Sequence, residues 1–198
     1  MSQRSPTEGA ADARRACEPA GESAIGVKIP VLKGVAQFRS VLLICAANTA
    51  RSVMAEHLMV RELLGRGIHQ HVRVRSAGIA PYARDGALVS LDTRMTLREV
   101  GIDIGDEATS TDLKRHPELL EEADLVIAMT DQQARDLAER FPLDSSLIVH
   151  TLRSFAGETG DIDDPFEQGD LVFGECRREI ERLIPRVVDR LLLSDPEA

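Results

Sequence analysis

The chain has no tryptophan and a single tyrosine, Tyr82. A binding site walled by aromatic rings therefore has few residues to draw on. Cysteine is also scarce: Cys17, Cys45 and Cys176 form an odd, scattered set. Such a set makes no disulfide framework, so the expected compartment is cytoplasmic, with one thiol free for chemistry. No apolar run approaches the roughly 18 residues of a membrane span, and no basic segment followed by an apolar stretch opens the chain. Neither a membrane helix nor a secretory signal is expected. Positive charge is the minority sign, since 24 Lys and Arg against 33 Asp and Glu leave a formal net charge of −9. That balance argues against a nucleic-acid surface but leaves room for a local anion site.

Hydrophobic residues make up 43% of the 198 positions, enough for one core and too many for a wholly disordered chain. Residues 1–38 are small, polar and charged with no sustained apolar period, and they read as a flexible extension carrying an uninvolved Cys17. A few apolar residues between Val27 and Val35 could dock on the domain. The folded part is expected to begin near Arg39. Ser40 to Ile44 is a short continuous apolar run, as in a strand of a parallel sheet buried on both faces. A helix follows, with Met54, Leu58, Leu63 and Leu64 on or near one face, ending at Gly65 and Gly67. Val72 to Ser76 alternates as a second strand, and Ala87 to Val100 reads as a helix closed by Gly101. A short helical stretch, Glu118 to Glu122, leads to a buried strand, Leu125 to Met129. Asp131 is expected to cap the next helix, which ends before Phe141-Pro142, and Leu147 to Val149 forms a fourth strand. A loop spans about Gly157 to Gly169. The final helix, about Asp170 to Leu193, carries the stripe Phe173, Cys176, Ile180, Leu183, Ile184, Val187 and Leu191. Pro185 falls near its charged face, where a kink rather than a break is expected. Strands alternating with helices imply an α/β three-layer sandwich: a central parallel sheet of about four strands with helices on both faces.

The segment between the first strand and its helix carries the chemistry. It runs Cys45-Ala46-Ala47-Asn48-Thr49-Ala50-Arg51-Ser52. In open parallel sheets, ligands bind beyond the carboxyl ends of strands, where loop amides and a helix N-terminus hold an anion. An arc of this length can set the Cys45 sulfur below a phosphorus while amides ring its oxygens. The same positive surroundings favour a thiolate. Arg51 adds a planar fork for two phosphate oxygens, which a lysine could not match. Cys-x5-Arg alone is a weak pattern. Its position after an apolar strand, with Asn48 inside and Ser52 and an amphipathic helix behind, separates it from a buried cysteine beside a surface arginine.

Val41 to Ser52 resembles the phosphate loop of the low-molecular-weight protein tyrosine phosphatases. Arg75-Ser76-Ala77-Gly78 resembles the family's second-strand motif, Ala123 to Thr130 its central strand, and Asp163-Asp164-Pro165-Phe166 its acid loop. These motifs stand in the family's order, and the likeness covers about Ser40 to Leu193, so residues 39–194 are expected to form the phosphatase domain. Three positions depart from the usual pattern: Ala47 stands for Gly, Ala50 for a second loop cysteine, and Val53 for Pro. The first puts loop geometry in question, the second removes a neighbouring disulfide partner for an oxidised Cys45, and the third matters little at a first helical turn.

The resemblance implies a phosphoprotein phosphatase working through a cysteinyl-phosphate. Cys45 is the nucleophile, Arg51 and the amides of Ala46, Ala47, Asn48, Thr49, Ala50, Arg51 and Ser52 bind phosphate, and Asp164 is the general acid. Asp161 and Asp163 read as solvated acids of the same loop. Ser52 supports the thiolate, Asn48 and Ser76 brace the loop, and Tyr82 and Phe166 flank the substrate. No cofactor and no metal are implied. The partner is a phosphorylated protein, with no nucleic acid and no membrane involved. Phosphotyrosine ranks first as substrate on family prevalence. Thr49 favours phosphoarginine instead, because protein-arginine phosphatases of the family carry Thr where phosphotyrosine-directed members usually carry Ile.

Other classes fare worse. A thioredoxin-linked arsenate reductase needs resolving cysteines in mid-chain, and Ile79 to Asp131 has none, while Cys176 sits on an apolar stripe. A non-catalytic phosphate-binding module would be expected to lack Cys45, Arg51 or Asp164. His69 and His71 form the closest histidine pair but have no acidic or cysteine neighbour in sequence, so a metal site is not expected.

Overall fold

The computed structural model describes residues 37–192. Cys17, the Val27 to Val35 stretch and all but the last two residues of the expected extension lie outside them, as does Leu193. Phe38, at the expected border, is buried and meets Phe155 edge-on at 5.9 Å, and the Gln37 N–H donates to the Leu191 carbonyl at 3.0 Å.

Four strands, β1 (Ser40–Cys45), β2 (Arg73–Gly78), β3 (Leu125–Ala128) and β4 (Ile148–Thr151), form a parallel sheet in the order β2-β1-β3-β4. Six helices accompany it: α1 (Arg51–Gly65), α2 (Leu91–Arg98), α3 (Glu118–Glu121), α4 (Asp131–Arg140), α5 (Leu152–Phe155) and α6 (Asp170–Leu192), with a 3-10 turn at Leu113–Arg115. The expected α/β architecture is present. Among the described residues no helix is long and apolar enough to cross a membrane.

β1 explains the layering. Val41, Leu43 and Cys45 join one apolar cluster with Leu58 and Met59 of α1 and Leu183 and Val187 of α6. Leu42 and Ile44, one residue out of phase, join a second cluster with Leu113, Val126 and Leu137. A strand buried on both faces must be apolar at successive positions, which is why this segment reads as an unbroken run. The chain leaves β1 towards β2 on one side and reaches β3 on the other, so the carboxyl end of β1 lies at a topological switch point, where a crevice opens.

Several boundaries differ from expectation by a residue or more. The helix expected from Ala87 starts at Leu91, because Ala87 to Val89 are captured by a neighbouring segment: the Val89 N–H donates to the Ala108 carbonyl at 2.9 Å, and the Ser110 N–H to the Ala87 carbonyl at 2.8 Å. Ser90 then caps α2, its hydroxyl accepting from the Thr93 N–H at 3.2 Å. Thr130, not Asp131, caps α4, and Asp131 is the first helical residue. β4 is displaced towards its carboxyl end and runs into α5, a single turn capped by Thr151 that is too short to show a period. α6 continues through Pro185 unbroken, and every residue of its expected stripe is buried.

Leu43 is fully buried at the centre of the sheet. Leu43→Ala is expected to destabilise the fold by about 3 kcal/mol, read as a shift in the urea midpoint without loss of the folded baseline.

Candidate active site

The loop leaving β1 is anchored from outside itself. The Cys45 carbonyl accepts from the Ile79 N–H at 3.0 Å, the Ala46 carbonyl from Ala80 N–H at 2.9 Å, and the Thr49 carbonyl from Ser90 N–H at 3.1 Å. Inside it, Asn48 takes a left-handed conformation with φ 59°, which its short polar side chain tolerates. Ala47 is not left-handed. The glycine usual at that position is therefore not required for this path, which answers the question its replacement raised.

Asn48 is also the hub of a buried hydrogen-bond network. Its amide nitrogen donates to Ser52 Oγ at 3.0 Å and Ser76 Oγ at 2.8 Å, and its Oδ1 accepts from the Thr111 N–H at 2.8 Å. Ser76 in turn donates to the Glu56 carboxylate. Ser52 Oγ lies 3.0 Å from Cys45 Sγ, and the Asn48 N–H points at the same sulfur at 3.3 Å. The sulfur thus meets a hydroxyl and a backbone amide, both suited to a developing or resident negative charge. α1 begins directly after the loop with no side-chain cap and no acid in its first turn, so its amides and dipole favour an anion there.

Arg51 is 4% exposed. Its guanidinium donates to the Ile162 carbonyl at 2.9 Å and pairs with the Asp164 carboxylate, whose side chain is half exposed. The loop carrying both partners therefore folds back over the phosphate loop. Asp161 and Asp163 are not drawn into the site: Asp161 accepts from the Asp131 N–H at 2.8 Å at the start of α4, and Asp163 offers its carbonyl to Cys176 Sγ at 3.9 Å. Burial pushes the Cys176 thiol up to about 12, so it is a neutral core residue at physiological pH.

A cavity of about 390 Å³ opens above the loop. Cys45, Ala46, Ala47, Thr49, Ala50 and Arg51 line it, with Asp164, Tyr82 and Phe166. Tyr82 and Phe166 are each 66% exposed and flank it as open walls. Asn48 and Ser52 are not brought to the cavity surface and stand behind it as braces.

Leu88, Ser90 and Phe173 also line the cavity and were not singled out from the sequence. Glu56 and Gly78 were missed as well. Glu56 stands one helical turn from Ser52, a polar pair on a largely buried helix that could have drawn notice. At Gly78 a side-chain carbon would lie 2.7 Å from the Ala47 carbonyl carbon and 3.0 Å from the Ala46 and Ala47 oxygens, so the loop can approach β2 only because this residue is glycine. Among the described residues no group of three or more His, Cys, Asp or Glu could hold a metal.

Gly78→Ala is expected to keep the fold by circular dichroism while phosphate release falls by about 10²-fold, the effect of moving a reacting group by roughly 1 Å. Iodoacetate is expected to carboxymethylate Cys45, with inorganic phosphate slowing the reaction, while Cys176 stays unlabelled until the protein is unfolded. Peptide mass mapping reads both, and native labelling of Cys176 would contradict its assignment as a neutral core thiol.

The family model for low molecular weight phosphotyrosine protein phosphatases matches residues 40–194. The chain is similar to a protein-arginine-phosphatase of Geobacillus stearothermophilus, 36% identical over 152 residues that cover 76% of this chain and 95% of the relative. It is also similar to the low molecular weight protein-tyrosine-phosphatase Ptp of Acinetobacter johnsonii, 26% identical over 148 residues covering 75% and 94%. The solved structure of the YwlE arginine phosphatase from Geobacillus stearothermophilus superposes with a TM-score of 0.66 at 35% identity, covering 77% of this chain and 92% of that one. A family match that spans the folded unit, with a relative 36% identical along 95% of its length, makes this chain a member of the low molecular weight phosphotyrosine protein phosphatase family.

Proposed function

We propose that this phosphatase acts on phosphoarginine in proteins, with residues 39–194 as its catalytic domain and residues 1–38 as an appended segment. The observation that carries the choice is Thr49, a hydroxyl-bearing residue in the wall of the cavity that also holds Cys45. A guanidinium is polar on every edge, and a hydroxyl in the cavity wall favours it over an aromatic ring by about 1 kcal/mol or more. The greater similarity to a relative named protein-arginine-phosphatase than to the tyrosine phosphatase from Acinetobacter points the same way. These two observations reverse the sequence ranking, which rested on family prevalence.

In the proposed mechanism the Cys45 thiolate attacks phosphorus and an S–P bond forms. The P–N bond breaks, its electron pair goes to the guanidine nitrogen, and Asp164 gives that nitrogen a proton. Loop amides and Arg51 hold the three equatorial oxygens throughout. Water then attacks the cysteinyl-phosphate, the Asp164 carboxylate takes a proton from it, and the S–P bond breaks to restore the thiolate. The contact between Arg51 and Asp164 supports this reading by placing the carboxyl group beside the proposed phosphate site.

Phosphotyrosine is the second reading, favoured by the two exposed rings of Tyr82 and Phe166 at the cavity mouth. Phosphate release from matched phosphoarginine and phosphotyrosine peptides, with Cys45→Ser as blank, separates the two. The expected result is a phosphoarginine preference of about tenfold or more in kcat/KM that Thr49→Ile reverses. Equal or faster phosphotyrosine turnover would overturn the assignment.

A further inference from the structure

A second depression, of about 320 Å³, lies between α2 and α6. Leu91, Asp92, Met95, Thr96, Glu99 and Gly174 line it. It adjoins the active-site cavity at two places in the chain. Ser90 walls the first cavity and Leu91 the second, while Phe173 walls the first and Gly174 the second. The start of α2 and the first turns of α6 therefore form a ridge with the phosphate site on one side and this depression on the other. The ridge is tied to the phosphate loop, because the Ser90 N–H is the donor to the Thr49 carbonyl.

The lining has a definite chemistry. Leu91 and Met95, one helical turn apart, are 58% and 54% exposed and offer an apolar surface. Thr96 is 4% exposed, and among the described residues its hydroxyl has no hydrogen-bond partner. That hydroxyl faces Gly174, where an added side-chain carbon would lie 4.0 Å from it. Buried hydroxyls are seldom left unpartnered, because the desolvation cost is not recovered. Asp92 and Glu99 add two carboxylates along the α2 side, and Glu99 is only loosely engaged, 4.0 Å from Arg177. On the α6 side the Arg178 guanidinium reaches towards Gly174, so the acidic flank is that of α2.

We propose that this depression is a docking subsite for a lysine or arginine side chain of the phosphorylated protein, close in sequence to the residue being dephosphorylated. This rests on the reading of the chain as a phosphoprotein phosphatase. The aliphatic stem of such a residue packs on Leu91 and Met95. Its cationic tip lies against Asp92 and Glu99, with the unpartnered Thr96 hydroxyl in the wall beneath it. On the α2 side the depression runs from Leu91 to Glu99, eight steps or about 12 Å at 1.5 Å each. An extended peptide that crosses the ridge reaches the nearer half of that span in about two residues and its far end in about four, at about 3.3 Å each. The site therefore reads a basic residue about two to four positions from the phosphorylated one.

The test is a set of phosphopeptides in which a single lysine is moved through positions one to five on either side of the phosphorylated residue, against an all-alanine background, with kcat/KM read for each. A small aryl phosphate, which cannot reach the subsite, monitors the phosphate site itself. Wild type is expected to favour lysine about tenfold within the two-to-four window on one side. Met95→Lys, and separately Asp92→Asn combined with Glu99→Gln, are expected to abolish that preference while leaving aryl phosphate turnover within twofold. Equal kcat/KM for lysine and alanine peptides at every position, or a preference that survives both variants, would overturn the subsite. Absence of aryl phosphate and phosphopeptide turnover in the wild type would instead overturn the phosphatase reading beneath it.

Discussion

A guanidinium ion buried to 4% exposure is the constraint from which the rest of the site follows. Arg51 cannot hold its charge in the interior without partners, and leaving such a charge unpaired costs several kcal/mol. Neither partner is local: the Ile162 carbonyl and the Asp164 carboxylate arrive from a loop that follows β4 and α5. Pairing this charge fixes the acid loop, and the fixed acid loop places Asp164 and Phe166 at the cavity. The proposed phosphate-binding charge and the proposed proton donor are thus positioned by one electrostatic requirement. The same requirement explains why the loop passes close to Cys176, whose thiol sits beneath the Asp163 carbonyl as part of the core.

Opposite the acid loop, the phosphate loop is held by neutral hydrogen bonds. Asn48 takes the left-handed turn, gives both side-chain N–H donors to Ser52 and Ser76, and accepts from the Thr111 N–H. Both Ser52 and the Asn48 N–H then point at the Cys45 sulfur. Preorganisation of this kind leaves little to rearrange when charge builds up during transfer, which is where enzymes gain most from fixed dipoles. The braces stand behind the cavity wall, so between Cys45 and Arg51 the loop offers the cavity only small side chains, Ala46, Ala47, Thr49 and Ala50, of which Thr49 alone carries a hydroxyl.

What could be read from the sequence divides along the same line. β1, the loop and α1 are legible because their signals are local: an apolar run, a cysteine and an arginine at fixed spacing, and an amphipathic period. The stripe of α6 is legible for the same reason. Residues whose role depends on a distant segment are not. Ala87 to Val89 have a helical composition, yet Ala108 to Ser110 claim their backbone groups and α2 starts later. Gly78 looks like the end of a strand motif until the Ala47 backbone is found against it. Glu56 lies on a helix that reads correctly as amphipathic, but its contact with Ser76 depends on how β2 packs. Tyr82 and Phe166 were assigned by resemblance, and their openness to solvent is a property of the assembled mouth.

The order in which the site's parts occur along the chain has a consequence for synthesis. Cys45 and its loop leave the ribosome well before Asp164 and α6. The cluster that buries one face of β1 draws heavily on α6, through Ile180, Leu183, Ile184 and Val187. Until α6 emerges, a nascent chain therefore holds this loop with no partner for Arg51 and one face of its sheet uncovered. Pairing of Arg51 and burial of that face become possible over the same stretch of synthesis. Parallel pairing between distant segments also makes this a slow fold by topology, so the interval in which that face is uncovered is set by folding as well as by elongation.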